Sequence, residues 1–351
     1  MPGVAANEIN GMKTHDTKII FKDKIQDIKF DTTLSFLIYD RDLLKYSFAF
    51  KSWQKQFSHQ YAVKSGEGLK DLKHFDFHIK NILKKSSAMN SRQMKFIVVG
   101  GGSLGDFGGF VASVFKRGVG LIHIPSTWLS AIDSSHGGKT ALNVSGFKNQ
   151  IGSFYPAEKV LIVKQLLEAQ PAKRALEASG ELVKIALIDG GSWTKRLTNT
   201  YETETHFYRH LKPAIAAKYK IIKQDPFERS GIRQILNLGH TWGHVLEAAF
   251  KIPHGVAVSL GLQFSINWSI QKKLLNSKEY LSAQMLLEIL ELPSTPKVSR
   301  SLALQLLKQD KKTKKNGHLN FIFLARLGRP KRLKVSIDSI LQEAQRQGWI
   351  Y

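Results

Sequence analysis

Three histidines lie close together in residues 236–254, which read LNLGHTWGHVLEAAFKIPH. His240 and His244 are four residues apart, so a helix would place both on one face. His254 follows Pro253, just past a predicted helix end. Three neutral imidazoles that converge are typical of a site for a divalent metal, although satisfied core histidines remain the alternative.

Polar residues extend this segment toward its start. Arg233 and Asn237 precede the histidines at spacings that place all four side chains on one helical stripe. A core helix would carry Leu or Val at these positions. The pattern therefore predicts one helix over residues 233–250 whose polar stripe lines a pocket.

A glycine-rich turn, GGGSLGD at residues 100–106, follows the apolar run at 96–99. Glycines let a backbone approach a pyrophosphate, and a following helix N-terminus favours its negative charge. The spacing differs from GxGxxG, so a tight turn without a ligand stays open as an interpretation. The loop SGEGLK at 65–70 offers a carboxylate for ribose hydroxyls and a cation for phosphate, and Asp40 ends an early strand where it can contact a ribose.

Two further polar groups follow along the chain. The segment DSSHGGKT at 133–140, with Lys148 and Asn149 after it, is typical of a loop at a ligand. Glu181 and Lys184 are three residues apart on a predicted helix. A carboxylate at 181 would complete a site of two histidines and one glutamate with positions open for substrate, while a surface or capping role for Glu181 remains the alternative.

Length and composition exclude several classes of protein. The 351 residues suffice for two domains, and a hydrophobic content of 42% is ordinary for a globular protein. The sequence has no run of 18 apolar residues and no signal-type segment, so we expect no membrane span and a cytoplasmic location. The lack of cysteine excludes disulfides and thiolate metal ligands.

The formal charge of +24 indicates an anionic partner. Lysines and arginines are spread along the whole chain, and the densest run, KQDKKTKK at 308–315, is short. We therefore do not expect nucleic acid as the main partner. A basic surface that attracts a phosphorylated small-molecule substrate fits this distribution better.

Apolar runs and amphipathic stretches divide the chain into two parts. Short β-rich runs between helix-length segments predict an α/β, Rossmann-like nucleotide-binding domain, and long amphipathic stretches predict a mainly α-helical metal-binding domain after it. The predicted strands are 18–21, 36–39, 96–99, 121–125 and 160–163; the predicted helices are 172–188, 211–223, 233–250 and 256–273; a hairpin is predicted at 319–325. The predicted segments are a loose leader at 1–14, the nucleotide-binding domain at 15–168 and the helical metal and substrate domain at 169–351.

Seven segments taken together resemble the 3-dehydroquinate synthase family, over about residues 35–330. They are GGGSLGDFGGF at 100–110, RG at 117–118, PSTWL at 125–129, DSSHGGKTALN at 133–143, KNQIGSFY at 148–155, ELVK at 181–184 and LNLGHTWGH at 236–244. The resemblance implies a homodimeric lyase of the shikimate pathway that uses NAD and zinc or cobalt. Its substrate would be a phosphorylated keto acid, 3-deoxy-arabino-heptulosonate 7-phosphate, and its products 3-dehydroquinate and phosphate.

The resemblance also implies roles for individual residues. The metal ligands would be Glu181, His240 and His254, with His244 beside them as a supporting or proton-transfer group. The polar residues that bind substrate would be Asp133, Lys139, Asn149, Lys184, Lys218, Arg233 and Asn237. Lys311 or Lys312 would hold the phosphate, and Arg117 would reach the phosphate in the neighbouring subunit. The NAD contacts would be Gly66, Glu67, Lys70, Gly101, Gly102, Ser103, Leu104, Gly105, Asp106, Ser126, Thr127, Lys139 and Lys148, in addition to Asp40.

The chain departs from the family pattern at several positions, and two other activities stay open. Val256 stands where the family usually has a glutamate, and His136 replaces a small apolar residue. Other sugar phosphate cyclases use the same scaffold on other substrates, but some of them lack the arginine and asparagine found here as Arg233 and Asn237. Metal-dependent alcohol or polyol dehydrogenases share a GGGS turn and metal histidines, but their neutral substrates do not require so many cations.

Overall fold

A computed structural model of the protein describes residues 16–89, 93–199, 204–309 and 317–351, together with the backbone of residues 8–9 and 12–13. Of the predicted loose leader at 1–14, only the backbone of residues 8–9 and 12–13 is described, and these residues pair as two short antiparallel strands. The chain divides into two compact units, Met1–Pro171 and Ala172–Tyr351. Among the described helices, none combines the length and the apolar character of a membrane span.

The first unit is built on a six-stranded sheet in which all neighbouring strands are parallel. The described strands of the first unit, which include the separate pairs β1-β2 and β8-β9, are β1 (Glu8–Ile9), β2 (Met12–Lys13), β3 (Lys18–Lys22), β4 (Ser35–Asp40), β5 (Gln60–Val63), β6 (Lys95–Gly100), β7 (Gly120–Pro125), β8 (Lys139–Val144), β9 (Phe147–Phe154) and β10 (Lys159–Val163). Its helices are α1 (Leu43–Tyr46), α2 (Phe48–Trp53), α3 (Phe75–Lys85), α4 (Gly102–Val114) and α5 (Lys164–Glu168). The order across the sheet is β3-β10-β7-β6-β4-β5.

The five strands predicted for this sheet are confirmed within one residue at each end. The apolar runs of β4, β6, β7 and β10 are buried almost throughout, as expected for parallel strands covered on both faces, whereas the edge strand β3 is only half-buried. The edge strand β5 was not predicted, because its four residues show only a weak alternation of buried and exposed side chains.

Helix α4 lies against the sheet at close range because glycine allows it. A Cβ added to Gly108 would lie 2.6 Å from Cγ2 of Val98 on β6. Any side chain at this position would push the helix away from the strand. The close approach fixes the position of the glycine-rich turn between β6 and α4.

The segment predicted as a ligand loop after residue 133 is partly a hairpin, so that prediction is wrong in part. Lys139 begins β8, whereas Lys148 and Asn149 lie on the antiparallel β9. Ser145 and Gly146 connect the strands with φ values of 49° and 81°. Two positive φ angles identify a type I′ turn, whose twist matches that of the strands.

The second unit is mainly helical, as predicted. Its elements are α6 (Lys173–Asp189), α7 (Ser192–Asn199), α8 (Glu204–Gln224), α9 (His240–Phe250), α10 (His254–Gln271), α11 (Ser277–Glu288), α12 (Arg300–Gln309), β11 (His318–Arg326), β12 (Arg329–Ser336) and α13 (Ile337–Arg346). The hairpin predicted at 319–325 is present, but that segment forms only its first strand, and β12 pairs with it antiparallel.

Aromatic packing fixes the two helices that carry the histidines. Trp242 of α9 stacks on Phe264 of α10, with ring centroids 5.0 Å apart and planes 20° apart. Phe264 and Trp268 then pack edge-on against Phe321 of β11. These large buried rings contribute specific geometry as well as buried area, so α9 and α10 are held in one relative position.

The single helix predicted over 233–250 is confirmed for residues 240–250 and is wrong for the residues before them. Residues Ile232–Asn237 form a 3-10 helix, and α9 begins only at His240. Gly239 between them has a φ of 80°, which no helix accommodates. Arg233 and Asn237 therefore do not share a helical stripe with His240.

His123 provides a test of how the buried sheet responds to pH. It lies on β7 beneath α4, 3.7 Å from where a Cβ on Gly105 would be, and burial lowers its pKa to about 4. Because this folded-state value lies below the unfolded value of about 6.5, His123 supports folding above pH 6.5 and this support is lost as the pH falls toward 4. Between pH 7 and pH 4.5, we expect the free energy of unfolding of His123→Gln to fall by about 2 to 3 kcal/mol less than that of the wild type.

Urea unfolding followed by circular dichroism at a series of pH values measures this difference. His74→Gln, which changes an exposed histidine in the same unit, is the matched control and should follow the wild type. Equal pH dependence in His123→Gln and the wild type would contradict the assignment of a buried neutral ring.

Candidate metal centre and nucleotide-binding turn

The structure brings together the three side chains that the resemblance implies as metal ligands. Nε2 of His240 and Nε2 of His254 lie 3.4 Å and 3.5 Å from Oε1 of Glu181. One ligand atom from each residue lies within 4.8 Å of the others. Tetrahedral ligands about 2.0–2.1 Å from a zinc ion are about 3.3 Å apart, so this donor set fits a divalent cation. The assignment of these residues as ligands remains a prediction.

Glycines beside the ligands allow three helices to meet at this point. A Cβ on Gly180, next to Glu181, would overlap the carbonyl oxygen of Gly255, next to His254. A Cβ on Gly261 of α10 would likewise overlap the carbonyl oxygen of Gly239, the residue before His240. Helices that touch through backbone place side chains next to each contact close together.

The buried carboxylate of Glu181 is shared between two groups of partners. Its Oε1 faces the two imidazoles, and its Oε2 forms an ion pair with Lys184. The side chains of Glu181 and Lys184 are only 1% and 2% exposed. Burial of a carboxylate is costly unless cations or hydrogen-bond donors surround it. Lys184 supplies a cation at Oε2, whereas Oε1 is directed at the two imidazole nitrogens, where a metal cation would supply positive charge.

Glu247 of α9 orients His254 and was missed by the sequence analysis. Its Oε2 lies 2.8 Å from Nδ1 of His254, which leaves Nε2 of the same ring directed toward Glu181. A carboxylate on the second ring nitrogen fixes the tautomer of a metal-binding histidine. The available signal was spacing, because Glu247 follows His240 and His244 by seven and three residues and so shares their helical face.

The electrostatics of the cluster favour a cation. Burial by itself lowers the pKa of His254, but Glu181 and Glu247 outweigh this effect and raise it to about 10. The cluster therefore holds a proton on His254 strongly, and a divalent cation would compete for the same place. His244 lies beside it, with its ring centroid 5.3 Å from that of His240 and 6.1 Å from that of His254.

The other residues of the second unit that are implied in substrate binding lie on α8 and on the 3-10 helix Ile232–Asn237. Lys218 is buried on α8, and Asn237 ends the 3-10 helix. Arg233 is also buried; its backbone N–H donates to Asp225 and its Nη1 donates to the carbonyl oxygen of Pro226. Lys311 and Lys312, the alternatives implied for phosphate binding, lie outside the described residues.

The glycine-rich turn in the first unit presents the N-terminus of α4. Gly101 precedes the helix without a side-chain cap, so the first N–H groups of α4 face outward as donors for an anion. The backbone N–H of Gly66 donates to Oγ of Ser103 at 3.0 Å, and Ser126 donates its N–H to Gly100 at the same distance. Three of the segments implied in NAD binding therefore meet around this turn.

Lys70 connects two of the predicted site residues in the first unit. Its buried Nζ lies 2.6 Å from both Oδ2 of Asp106 and Oδ1 of Asn149. Asp106 and Asn149 also line a cavity of about 330 Å³ together with Lys139. Burial raises the pKa of Asp106, and the Lys70 ammonium opposes this rise.

The remaining predicted residues of the first unit lie at its periphery or in local turns. Asp40 ends β4 and accepts the N–H of Asp42. Asp133 lies close enough to Asp106 for its charge to raise the pKa of that carboxyl. Lys148 is exposed on β9, and Arg117 is exposed in a turn where its φ is 70°.

The contact between Glu247 and His254 predicts an effect on metal affinity. Glu247→Ala removes the acceptor that holds the ring of His254, so we expect metal binding to weaken about 10- to 100-fold. Competition with a chromophoric chelator for Zn²⁺ measures the dissociation constant without any activity assay. Glu288→Ala, which removes an exposed carboxylate on α11, is the control, and equal affinities of the two variants would contradict an orienting role for Glu247.

Comparison with family models places two matches end to end on the chain. Residues 60–177 match the family described as 3-dehydroquinate synthase N-terminal. Residues 178–313 match the family described as 3-dehydroquinate synthase C-terminal. The two matches together cover residues 60–313 and reach into both units.

Individual proteins similar to this chain are also named 3-dehydroquinate synthase. A 3-dehydroquinate synthase of Dehalococcoides mccartyi is 36% identical over 268 residues, which are 72% of this chain and 73% of that protein. One of Methylacidiphilum infernorum is 35% identical over 80% of this chain and 79% of its own length. Among solved structures, 2-deoxy-scyllo-inosose synthase complexed with carbaglucose-6-phosphate, NAD⁺ and Co²⁺ has a TM-score of 0.80 at 23% identity, covering 94% of this chain and 96% of that one. This structural likeness shows a common fold.

Proposed function

The chain belongs to the 3-dehydroquinate synthase family, and we propose that it converts 3-deoxy-arabino-heptulosonate 7-phosphate into 3-dehydroquinate and phosphate. The observation that carries the proposal is the buried cluster of Glu181, His240 and His254 in a chain of this family. The reaction is a phosphate elimination followed by ring closure, and it includes a transient oxidation that is later reversed.

Each unit contributes residues suited to one cofactor. Glu181, His240 and His254 would hold Zn²⁺ or Co²⁺, and the turn before α4 would hold the pyrophosphate of NAD with Glu67 and Asp40 near its ribose groups. When bound, the metal polarises a substrate oxygen, and NAD accepts a hydride and returns it. His244 is the proposed proton-transfer group beside the metal ligands.

Cations and amides provide the proposed recognition of the two anionic groups of the substrate. Arg233 would pair with the carboxylate, because a guanidinium matches a carboxylate with two parallel hydrogen bonds. The further proposed substrate contacts are Asp133, Lys139, Asn149, Lys184, Lys218 and Asn237, with Lys311 or Lys312 on the phosphate. The overall charge of +24 would raise the encounter rate with such an anion.

Two alternatives differ in substrate or net redox change. A sister sugar phosphate cyclase would accept a sugar phosphate without a carboxylate, and the solved relative in complex with carbaglucose-6-phosphate belongs to that functional class. A polyol dehydrogenase would release NADH. The relatives of Dehalococcoides mccartyi and Methylacidiphilum infernorum, 36% and 35% identical, are both named 3-dehydroquinate synthase, which supports the keto acid as substrate. The cytoplasmic location expected from the sequence stays a prediction.

An assay of phosphate release tests the proposed function directly. We expect the protein with catalytic NAD and Zn²⁺ to release one phosphate per heptulosonate consumed, without accumulation of NADH. His254→Ala should lose its metal on dialysis, measured by elemental analysis, and lose activity with it. Preference for a heptose phosphate would identify a sister cyclase, steady NADH formation from a polyol would identify a dehydrogenase, and stoichiometric zinc in His254→Ala would contradict the ligand assignment.

Arg117 tests the proposed homodimer. If its guanidinium serves the phosphate site of the neighbouring subunit, Arg117→Ala mixed with His254→Ala should regain activity, because each mixed dimer then has one intact site. A mixture of His254→Ala with Glu181→Ala is the control, since both changes damage metal binding within the same subunit. Verified mixed dimers of the first pair that stay inactive would count against a shared site.

A further inference from the structure

Asn143 lies between two residues with different proposed ligands. Its Nδ2 donates to Oε2 of Glu67 at 2.9 Å, and its Oδ1 accepts the backbone N–H of Asn149 at 2.9 Å. Glu67 is proposed to contact NAD, and Asn149 is proposed to contact substrate. One amide group is thus bonded to both, and neither the sequence motifs nor the proposed mechanism gives Asn143 a role.

The backbone around Asn143 explains how it reaches both partners. The pairing of β8 with β9 shifts between Leu142 and Val144, so Asn143 lies in a bulge of the hairpin. It also forms an isolated parallel bridge with Asp71, which follows the segment that contains Glu67. A bulge redirects a side chain and is common next to active sites, so the amide of Asn143 leaves the regular ladder and faces the site residues.

Asn149 depends on this contact because its own backbone is unusual. Its φ is 55°, in the left-handed region that few residues other than glycine adopt. The side chain of Asn143 holds its N–H, and Nζ of Lys70 lies 2.6 Å from its Oδ1. The same lysine bonds to Asp106. The chain of contacts runs from Glu67 through Asn143, Asn149 and Lys70 to Asp106.

We infer that Asn143 is a positioning residue that couples the nucleotide-binding carboxylate of Glu67 to the substrate-binding side chain of Asn149. This inference rests on the proposed function. An asparagine is needed because its amide donates at one end and accepts at the other, whereas an aspartate would only accept and would face Glu67 with a like charge. The affinity for NAD at Glu67 and the affinity for substrate at Asn149 are therefore linked through one side chain. Such linkage is reciprocal, so each ligand changes the affinity for the other by the same factor.

Variants that replace the donor of Asn143 by an acceptor, and the acceptor of Glu67 by a donor, test the inference. In Asn143→Asp, we expect the Kd for NAD to rise about 10-fold and the KM for the heptulosonate to rise about 3- to 10-fold, with a smaller change in kcat. The double variant Glu67→Gln with Asn143→Asp restores a donor opposite an acceptor. Because Glu67→Gln alone should also weaken NAD binding, the signature of coupling is a Kd for NAD in the double variant that is at least about threefold lower than the two single changes together predict.

Calorimetric NAD titration and steady-state phosphate release supply the measurements. Asn81→Asp, which adds the same charge at a half-exposed position of α3 whose amide donates to the carbonyl oxygen of Phe77 in the same helix, is the control and should leave both quantities unchanged. Asn143→Ser removes both contacts without adding a charge, and it should weaken NAD binding about 3-fold even if Asn143→Asp folds poorly. Wild-type NAD affinity in Asn143→Ser, or purely additive effects in the double variant, would overturn the inference. Failure of the wild type to release phosphate from the heptulosonate would instead refute the proposed function, while the NAD titrations would still decide the role of Asn143.

Discussion

The metal centre depends on backbone contact between helices. Gly180 of α6 lies against Gly255 of α10, and Gly239 before α9 lies against Gly261 of α10, at distances that admit no Cβ. Because Glu181, His240 and His254 each neighbour one of these glycines, the contacts bring ligand atoms from three helices to within 4.8 Å of one another. The stacked pair of Trp242 and Phe264 holds two of these helices in register from the far side. Backbone packing therefore positions the three proposed ligand side chains, as precise coordination requires.

The charge balance of this site follows from the burial that packing imposes. Glu181 is nearly inaccessible, and an isolated carboxylate at such depth would favour its neutral form. Lys184 supplies one positive charge at Oε2, and Oε1 faces Nε2 of His240 and Nε2 of His254. The pKa of His254, raised to about 10 against the effect of burial, shows that the cluster as a whole attracts positive charge. A divalent cation would replace that proton and satisfy the same carboxylates.

The sequence predicted those features that depend on local pattern. The apolar strands of the sheet and the helical second unit were each encoded in runs or spacings of few residues. The grouping of Glu181 with His240 and His254 was implied by the resemblance to the family, because spacing along the chain does not connect Glu181 with the two histidines. The continuous helix at 233–250 was predicted wrongly, because periodicity does not reveal that Gly239 adopts a φ of 80° to approach α10. The roles of Glu247 and Asn143 likewise depend on tertiary contacts, with His254 across a helix junction and with Glu67 76 residues away. Such contacts have no signature in a single sequence.

One departure from the family pattern lies two residues after His254, a proposed metal ligand. Val256 replaces a glutamate that usually follows the His-Gly pair, and the loss of a carboxylate near a metal would ordinarily weaken ligand orientation. In this structure the carboxylate on Nδ1 of His254 comes from Glu247 of α9. The tautomer and ring orientation of His254 are thus fixed by a residue that the substitution does not touch. The apolar side chain at 256 is half-buried near the start of α10, where it adds no charge that would compete with Glu181 for the cation.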